Sequence, residues 1–228
     1  MLKLMWLDWR KMRLKGLLRT ILSANGIIIL WLIAFKAGHP DGFNSYEDLF
    51  KEIAFYTRTV VVIFASLLTA RVVLDEYRTR TITILFVYPV SRTNLLISKL
   101  ALVSVMTFVT MVCSHLLVAV VVVSTYLYNS SISQAMVLEM VTHEALNVII
   151  FAFAAVGMGF VLFFIGMIRK SAAAMLVSSC LMTMSSSEMF SQSVHDNVWK
   201  AVLLSGAWLA AGGVLALLAI KNAERAEV

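Results

Sequence analysis

The sequence predicts an all-α integral membrane protein: an N-terminal interfacial amphipathic helix, six transmembrane helices, and a cytoplasmic helix between the second and third spans. Three observations carry this. Of 228 residues, 61% are hydrophobic and 14% charged, where an ordinary soluble domain has about 25% charged residues. Apolar runs long enough to cross a hydrocarbon core of about 30 Å recur along the chain. The cations gather at alternate ends of those runs, as the positive-inside rule requires. The whole chain, 1–228, reads as one transmembrane domain.

Residues 1–16, MLKLMWLDWRKMRLKG, place Leu2, Met5, Trp6, Trp9, Met12 and Gly16 on one helical face and Lys3, Arg10, Lys11 and Lys15 largely on the other. A helix divided in this way lies in the interface with its apolar face down, and Trp settles at headgroup level. Leu4, Leu7 and Leu14 fall on the basic side. Either they face a partner protein or the segment is an ordinary basic flank before a span. Basic residues ahead of an apolar stretch also open secretory signals, but two tryptophans and the lack of a small-x-small site after Phe35 read as a retained segment.

The expected spans are 17–35, 53–74, 100–128, 145–168, 171–189 and 199–220. Arg19 and Lys36 stand close enough to the ends of the first to snorkel. KAGHPDGFNSYEDLFKE, with four acids and a proline, reads as a polar loop holding at most a short helix. The second span would be about 33 Å long and the third about 43 Å, so the third must tilt, break or project from the bilayer. NSSISQAMVLEMVTHEA is polar enough for a loop with an interfacial helix, and SQSVHDN turns the chain back before the last span.

With the N-terminus in the cytoplasm, Lys36, Lys51, Arg58 and Lys200 alone fall on the outer side, and the other fifteen of the 19 Lys and Arg fall inside. Both termini are therefore expected in the cytoplasm. The net charge of +6 then belongs to the anionic inner leaflet and not to nucleic acid.

That orientation makes Asp75 to Asn94 the longest cytoplasmic loop, and the stretch around it, LDEYRTRTITILFVYPVSRTNLLISK, 74–99, a cytoplasmic handle on the membrane protein. Ile82, Leu85, Phe86 and Pro89 recur at helical intervals, with Arg78, Thr79, Thr81 and Thr83 supplying polar surface. Pro89 ends or kinks this helix, approximately 75–90, because an interior proline costs roughly 3 kcal/mol. Ser91 suits the N-cap of the helix that re-enters the bilayer.

The order Glu76, Thr81, Ile84-Leu85, Pro89-Val90-Ser91-Arg92, Leu95-Leu96, Lys99 resembles the region after the second span in six-span permeases of ATP-binding cassette exporters of the second type, the bacterial peptide or antibiotic export and immunity group included. Arg80 departs from the glycine common there, and Arg78 from a second acid. The resemblance implies a non-catalytic permease subunit in a bacterial cytoplasmic membrane. Two such chains, identical or not, would pair with separate ATPase subunits, and ATP and Mg would bind there while this chain binds no cofactor. It implies a coupling helix seated on that ATPase, with Glu76, Arg78, Arg80 and Thr81 at the contact and Pro89, Ser91 and Arg92 at the re-entry corner. It also implies export of an amphipathic or hydrophobic cargo such as a peptide, antibiotic or lipid-like molecule. Taken singly, the same residues are also accounted for as a helix stop, a helix start and phosphate anchors, Arg92 and Lys99 being the anchors.

Other chemistry is weaker. No G-x-x-x-x-G-K-[ST] occurs, so phosphates are not cradled here in the P-loop manner. His143-Glu144 opens like H-E-x-x-H, but Asn147 stands where the second zinc ligand belongs. Cys113 and Cys180 lie in apolar runs and read as buried, inert thiols. His115, in mid-span, reads as a neutral imidazole hydrogen-bonded within the bundle, and intramembrane placement keeps a functional role open. Arg71 reads as an anchor. Arg58, five residues inside the outer end of its span, either snorkels, pairs with Glu188 or meets an anionic substrate group.

The fifth span offers Ser178, Ser179, Thr183 and further hydroxyls, together with Met175, Met182, Met184 and Met189. Small hydroxylated residues suit close helix packing, and Met-rich surface suits a substrate path; Ser178, Ser179, Met182 and Thr183, with Arg58, are the candidates for such a path. Ala155 with Gly159, and Gly206 with Ala210, are the expected small-xxx-small pairs, packing helices within one chain or serving a dimer seam. Two rival functions remain. An intramembrane enzyme would need paired acids, a His cluster or a Ser-Lys dyad at membrane depth, and none is present. A non-transporting scaffold or sensor would use the same loop to dock a signalling protein.

Overall fold

A computed structural model describes residues 14–38, 46–74, 92–129, 134–196 and 198–225. The expected interfacial helix up to residue 13 and the coupling segment 75–91 lie outside the described residues. What is described is helical throughout: α1 (Leu14–Gly38), α2 (Tyr46–Thr69) continuing into a π-helical turn (Ala70–Leu74), α3 (Arg92–Asn129), α4 (Gln134–Arg169), α5 (Ala172–Asp196) and α6 (Val198–Arg225). Among these, five stretches are long and apolar enough to span a bilayer: Gly16–Phe35, Leu49–Val73, Asn94–Thr125, Glu144–Arg169 and Val198–Asn222. The fifth helix in order, α5, carries only a shorter apolar stretch, Ala172–Ser186, because its serines dilute it.

Successive helices run up and down. One end of the bundle, here the handle end, gathers the start of α1, the π turn, the start of α3, the α4–α5 corner and the end of α6. Leu17, Val72, Val73, Leu96, Phe163, Ala219 and Ile220 form one apolar cluster there. Ile28, Leu32, Leu49, Phe50, Ile53, Val118 and Val122 form another toward the opposite end. Between α2, α3, α4 and α5 lies a third, with Val61, Val62, Met111, Phe151, Met158, Met175 and Phe190. Helices α2, α3 and α4 make the centre, each packed against four others, while α1 and α6 sit at the flanks.

The outer faces are apolar as well. Leu30, Val120, Leu181, Met184, Leu203 and Leu217 are each more than 60% exposed. A soluble bundle would cover such faces with charge, whereas hydrocarbon accepts them at no cost. Trp31 and Trp199 are also exposed and both lie toward the opposite end, where an aromatic belt would sit.

Several element boundaries differ from expectation. The helix after the handle begins at Arg92, directly after Ser91, and α3 has 38 residues, about 57 Å. Of the three ways of fitting a long third helix, a break is excluded, because the helix is continuous from Arg92 to Asn129. The segment read as a loop before residue 145 is helical from Gln134, so α4 also overshoots at the opposite end, at 36 residues. Likewise α2 begins at Tyr46, and α5 runs on to Asp196 through residues expected to turn the chain. Hydropathy marks where a helix meets lipid and is silent about where its hydrogen bonding stops.

The small-residue seams are also displaced. A Cβ on Gly159 or Gly206 would meet nothing within 4 Å, so those glycines make no close helix contact within the chain. Gly157 and Gly212 do: a Cβ on Gly157 would fall 2.6 Å from the backbone carbon of Trp208, and one on Gly212 would collide with the carbonyl oxygen of Gly157. Helices α4 and α6 therefore touch backbone to backbone. Both cysteines, expected to be buried, are instead free thiols on the exposed surface.

The α4–α5 corner is two residues long. Lys170 takes φ 48°, and its N–H donates to the Gly166 carbonyl at 2.8 Å, closing α4 with a left-handed cap. Ser171 Oγ accepts from the Ala174 N–H at 3.5 Å and opens α5. A side chain in this left-handed conformation carries a penalty of about 1–2 kcal/mol. Lys170→Gly should therefore leave thermal stability unchanged or raise it by up to about 1 kcal/mol, and the β-branched Lys170→Val should lower it by about 1 kcal/mol. Melting curves of the purified chain in one detergent check both signs.

Candidate functional site

Two places combine polar chemistry with burial. The first supports the handle. At its root α2 relaxes from α-helical to π-helical geometry over Ala70–Leu74. Such a turn displaces backbone carbonyls from their usual partners. The Lys99 ammonium, only 3% exposed, donates to the Val72 carbonyl at 3.2 Å, tying the start of α3 to the last turn of α2. Lys99 is thus turned into the protein, not out toward lipid phosphates. Arg71, in the same turn, is exposed, as an anchor should be. Glu76, Arg78, Arg80, Thr81, Pro89 and Ser91 lie outside the described residues; Arg92 begins α3, and its side chain is likewise outside the description.

The second place is a buried polar layer where α2, α3 and α4 meet. On α2, Thr57 lies one turn from Ile53 and one turn from Val61, so all three share a face. On α3, His115 lies between Met111 and Val118 on the stripe that meets α2. On α4, Asn147 lies one turn before Phe151. Because Ile53 clusters with Val118 while Val61 clusters with Met111 and Phe151, these three polar residues occupy one level between two apolar layers.

Arg58 adjoins that level. It is 3% exposed, and its guanidinium stacks over Phe190 at 4.8 Å and Phe151 at 5.4 Å from the ring centroids. It does not snorkel. No carboxylate among the described residues pairs with it, and the side chain of Glu188, the sequence candidate, is outside the description. A desolvated cation–π contact contributes about 2 kcal/mol, whereas burying an ion costs several kcal/mol. Two rings therefore do not offset the burial, and among the described residues the layer is short of a carboxylate against the guanidinium.

It is short of hydrogen bonds too. Arg58 Nε, Thr57 Oγ1, Asn147 Oδ1 and both ring nitrogens of His115 are buried without a hydrogen-bond partner. The expectation that His115 bonds within the bundle is thereby corrected: the neighbouring Ser114 hydroxyl, not the imidazole, receives a bond from across the bundle, donated by Asn25 Nδ2 at 2.9 Å. Asn147 Nδ2 donates to Glu144 Oε1 at 3.4 Å, which leaves its carbonyl oxygen as the open acceptor. Asn25, Thr57 and Asn147 were missed as site residues from sequence. For the two asparagines the signal was there, since a polar amide inside an apolar run is costly to bury and calls for a partner.

The hydroxyls of α5 behave differently. Ser179 donates to the Leu176 carbonyl at 2.7 Å, Thr183 to Ser179 and Cys180 at 3.0 Å, and Ser186 to Thr183 at 3.3 Å. Ser179 and Thr183 are buried; Ser178 and Met182 are half-buried. Bonding to their own helix makes these side chains compact and leaves few open valences. Among the described residues no three His, Cys, Asp or Glu side chains converge as a metal site requires.

Apolar outer faces, up-and-down helices and buried polar groups at membrane depth define a multi-pass membrane protein of the permease kind. The chain belongs to the ABC-2 family transporter proteins: the model of that family matches residues 4–186. It is also similar to an uncharacterized protein of Bacillus subtilis (strain 168), YcbO, with 31% identity over 232 residues, 98% of this chain and 99% of that one. No solved structure matches. The family is one of transmembrane, generally non-catalytic permease components, and it implies association with an ABC ATPase subunit.

Proposed function

We propose that this chain is the membrane-spanning subunit of an ATP-driven exporter, carrying an amphipathic or hydrophobic cargo outward across a bacterial cytoplasmic membrane. Two such chains pair with two ATPase subunits, both termini and the handle facing the cytoplasm. The segment 75–90 is the coupling helix, with Glu76, Arg78, Arg80 and Thr81 against the ATPase and Pro89, Ser91 and Arg92 holding the corner. ATP and Mg stay on the partner. Ser178, Ser179, Met182 and Thr183 on α5, with Arg58, line the cargo path, and Met182 supplies adaptable apolar surface.

One observation carries this reading beyond family membership: the handle is fastened at its root. Lys99 binds the Val72 carbonyl across the two helices that the handle joins. A push on the segment between them is then passed to α2 and α3 together, and α2 is packed against α1, α3, α4 and α5.

Docking is tested by co-purifying the chain with an ABC ATPase expressed beside it. Glu76→Lys, and Pro89→Ala combined with Arg92→Glu, should reduce the recovered ATPase at least about tenfold, as expected for removing one charge-assisted contact of about 1.5 kcal/mol or more. Wild-type recovery and vanadate-sensitive ATPase activity in both variants would remove the handle from the interface.

A further inference from the structure

We infer that the buried layer formed by Thr57, Arg58, His115 and Asn147 binds the acidic head, carboxylate or phosphate, of an amphipathic ligand. The inference deepens the transport reading by naming the chemical class of the cargo, and it rests on that reading only for the ligand's being carried.

The open valences decide the class. Arg58 is a fixed cation held between two phenyl rings with its Nε–H unused, and no carboxylate among the described residues neutralises it. Buried charge of one sign calls for the other. The Thr57 hydroxyl and one N–H of His115 add donors at the same level. Asn147 Oδ1 is an acceptor, and it stays one because Glu144 holds the amide the other way round. The complementary head therefore offers oxygens with negative charge and, beside them, an O–H or N–H. An N-acyl amino acid carries both, and so does the phosphate–glycerol head of phosphatidylglycerol. A cationic head would meet the arginine and be repelled.

The Glu144 carboxylate lies one turn nearer the opposite end, engaged by the Asn147 amide. It bounds the layer on that side. An acyl tail would extend among the apolar residues on the handle side, where Met111 offers adaptable surface.

The test uses the full chain, without ATPase or ATP, in a maltoside detergent, with native mass spectrometry counting bound ligand. N-dodecanoylglycine and dihexanoyl phosphatidylglycerol are the anionic probes, and dodecyltrimethylammonium is the cationic one. At least one anionic probe should bind saturably, one per chain, with the cation bound far more weakly. Preference for the glycine conjugate assigns the layer to a cargo carboxylate, and preference for the lipid to a headgroup phosphate.

Arg58→Met should weaken the anionic probe about tenfold or more and leave the melting temperature unchanged or higher, since an unneutralised buried charge is removed. Thr57→Val, nearly the same in volume, should weaken it about threefold and serves if Arg58→Met does not fold. Equal binding of anion and cation, or wild-type anion binding in the variants, overturns the inference. So does a melting temperature lowered by Arg58→Met with binding intact, which would make the arginine a packing element only. Because no ATPase is present, loss of docking by the handle variants and loss of anion binding here are separate results.

Discussion

Gly157→Val should destabilise the chain by about 1–3 kcal/mol, visible as a lowered melting temperature in detergent. A Cβ at Gly157 would stand 2.6 Å from the backbone carbon of Trp208 and 2.7 Å from the nitrogen of Leu209. Backbone does not rotate out of the way as a side chain does, so α6 must move bodily. Gly157→Ala should act in the same direction, more weakly, and Gly212→Ala should match it, because its Cβ meets the Gly157 carbonyl from the other side. In a bilayer there is no hydrophobic drive holding two helices together, so nothing replaces the dispersion attraction given up when this seam opens.

The control carries the opposite sign. Gly159 and Gly206 lie on the same two helices, and an added Cβ meets nothing within 4 Å. Glycine inside a helix is less stable than alanine by about 0.5–1 kcal/mol. Gly159→Ala and Gly206→Ala should therefore raise the melting temperature slightly. If all four alanine variants shift it in one direction, the α4–α6 seam has been misplaced.

Lys99→Met should cost about 1–3 kcal/mol, since it leaves the Val72 carbonyl buried beside a thioether that donates nothing. The substitution keeps the length and apolar stem, so packing against Leu96 and Val103 is little disturbed. The functional consequence should exceed the stability loss: with the π turn untied from α3, cargo-stimulated ATPase activity in reconstituted vesicles should fall about tenfold or more. ATPase co-purification should be kept, because Lys99 is not among the residues proposed for the docking face. Lys99→Arg should recover part of the loss through its own N–H donors. Lost co-purification would place Lys99 at the docking contact, and unchanged stimulated activity would show that the tie transmits nothing.

Much of this architecture was legible in the sequence. Every apolar run among the described residues became a helix, because each backbone polar group in hydrocarbon must be bonded within its own segment. Arg58 stood out as an ion within a span. What the sequence did not show was which side of a helix meets which neighbour. All the small residues of α4 and α6 lie in similar apolar surroundings along the chain, so Ala155 with Gly159 looked as good a seam as Gly157 with Gly212. The fate of Arg58 was likewise open between lipid headgroups, Glu188 and an anionic substrate group.

The sequence by itself determined the membrane class, the order of the helices among the described residues, and the resemblance at residues 76–99, since these depend on composition and short-range spacing. Only tertiary structure decided that Arg58 is enclosed by Phe151 and Phe190, that Lys99 reaches back to Val72, and that Thr57, His115 and Asn147 share a level. Those facts depend on the rotation and depth of each helix against the next. In a membrane both are set by close packing of side chains on separate segments, and hydropathy along one segment carries no record of that packing.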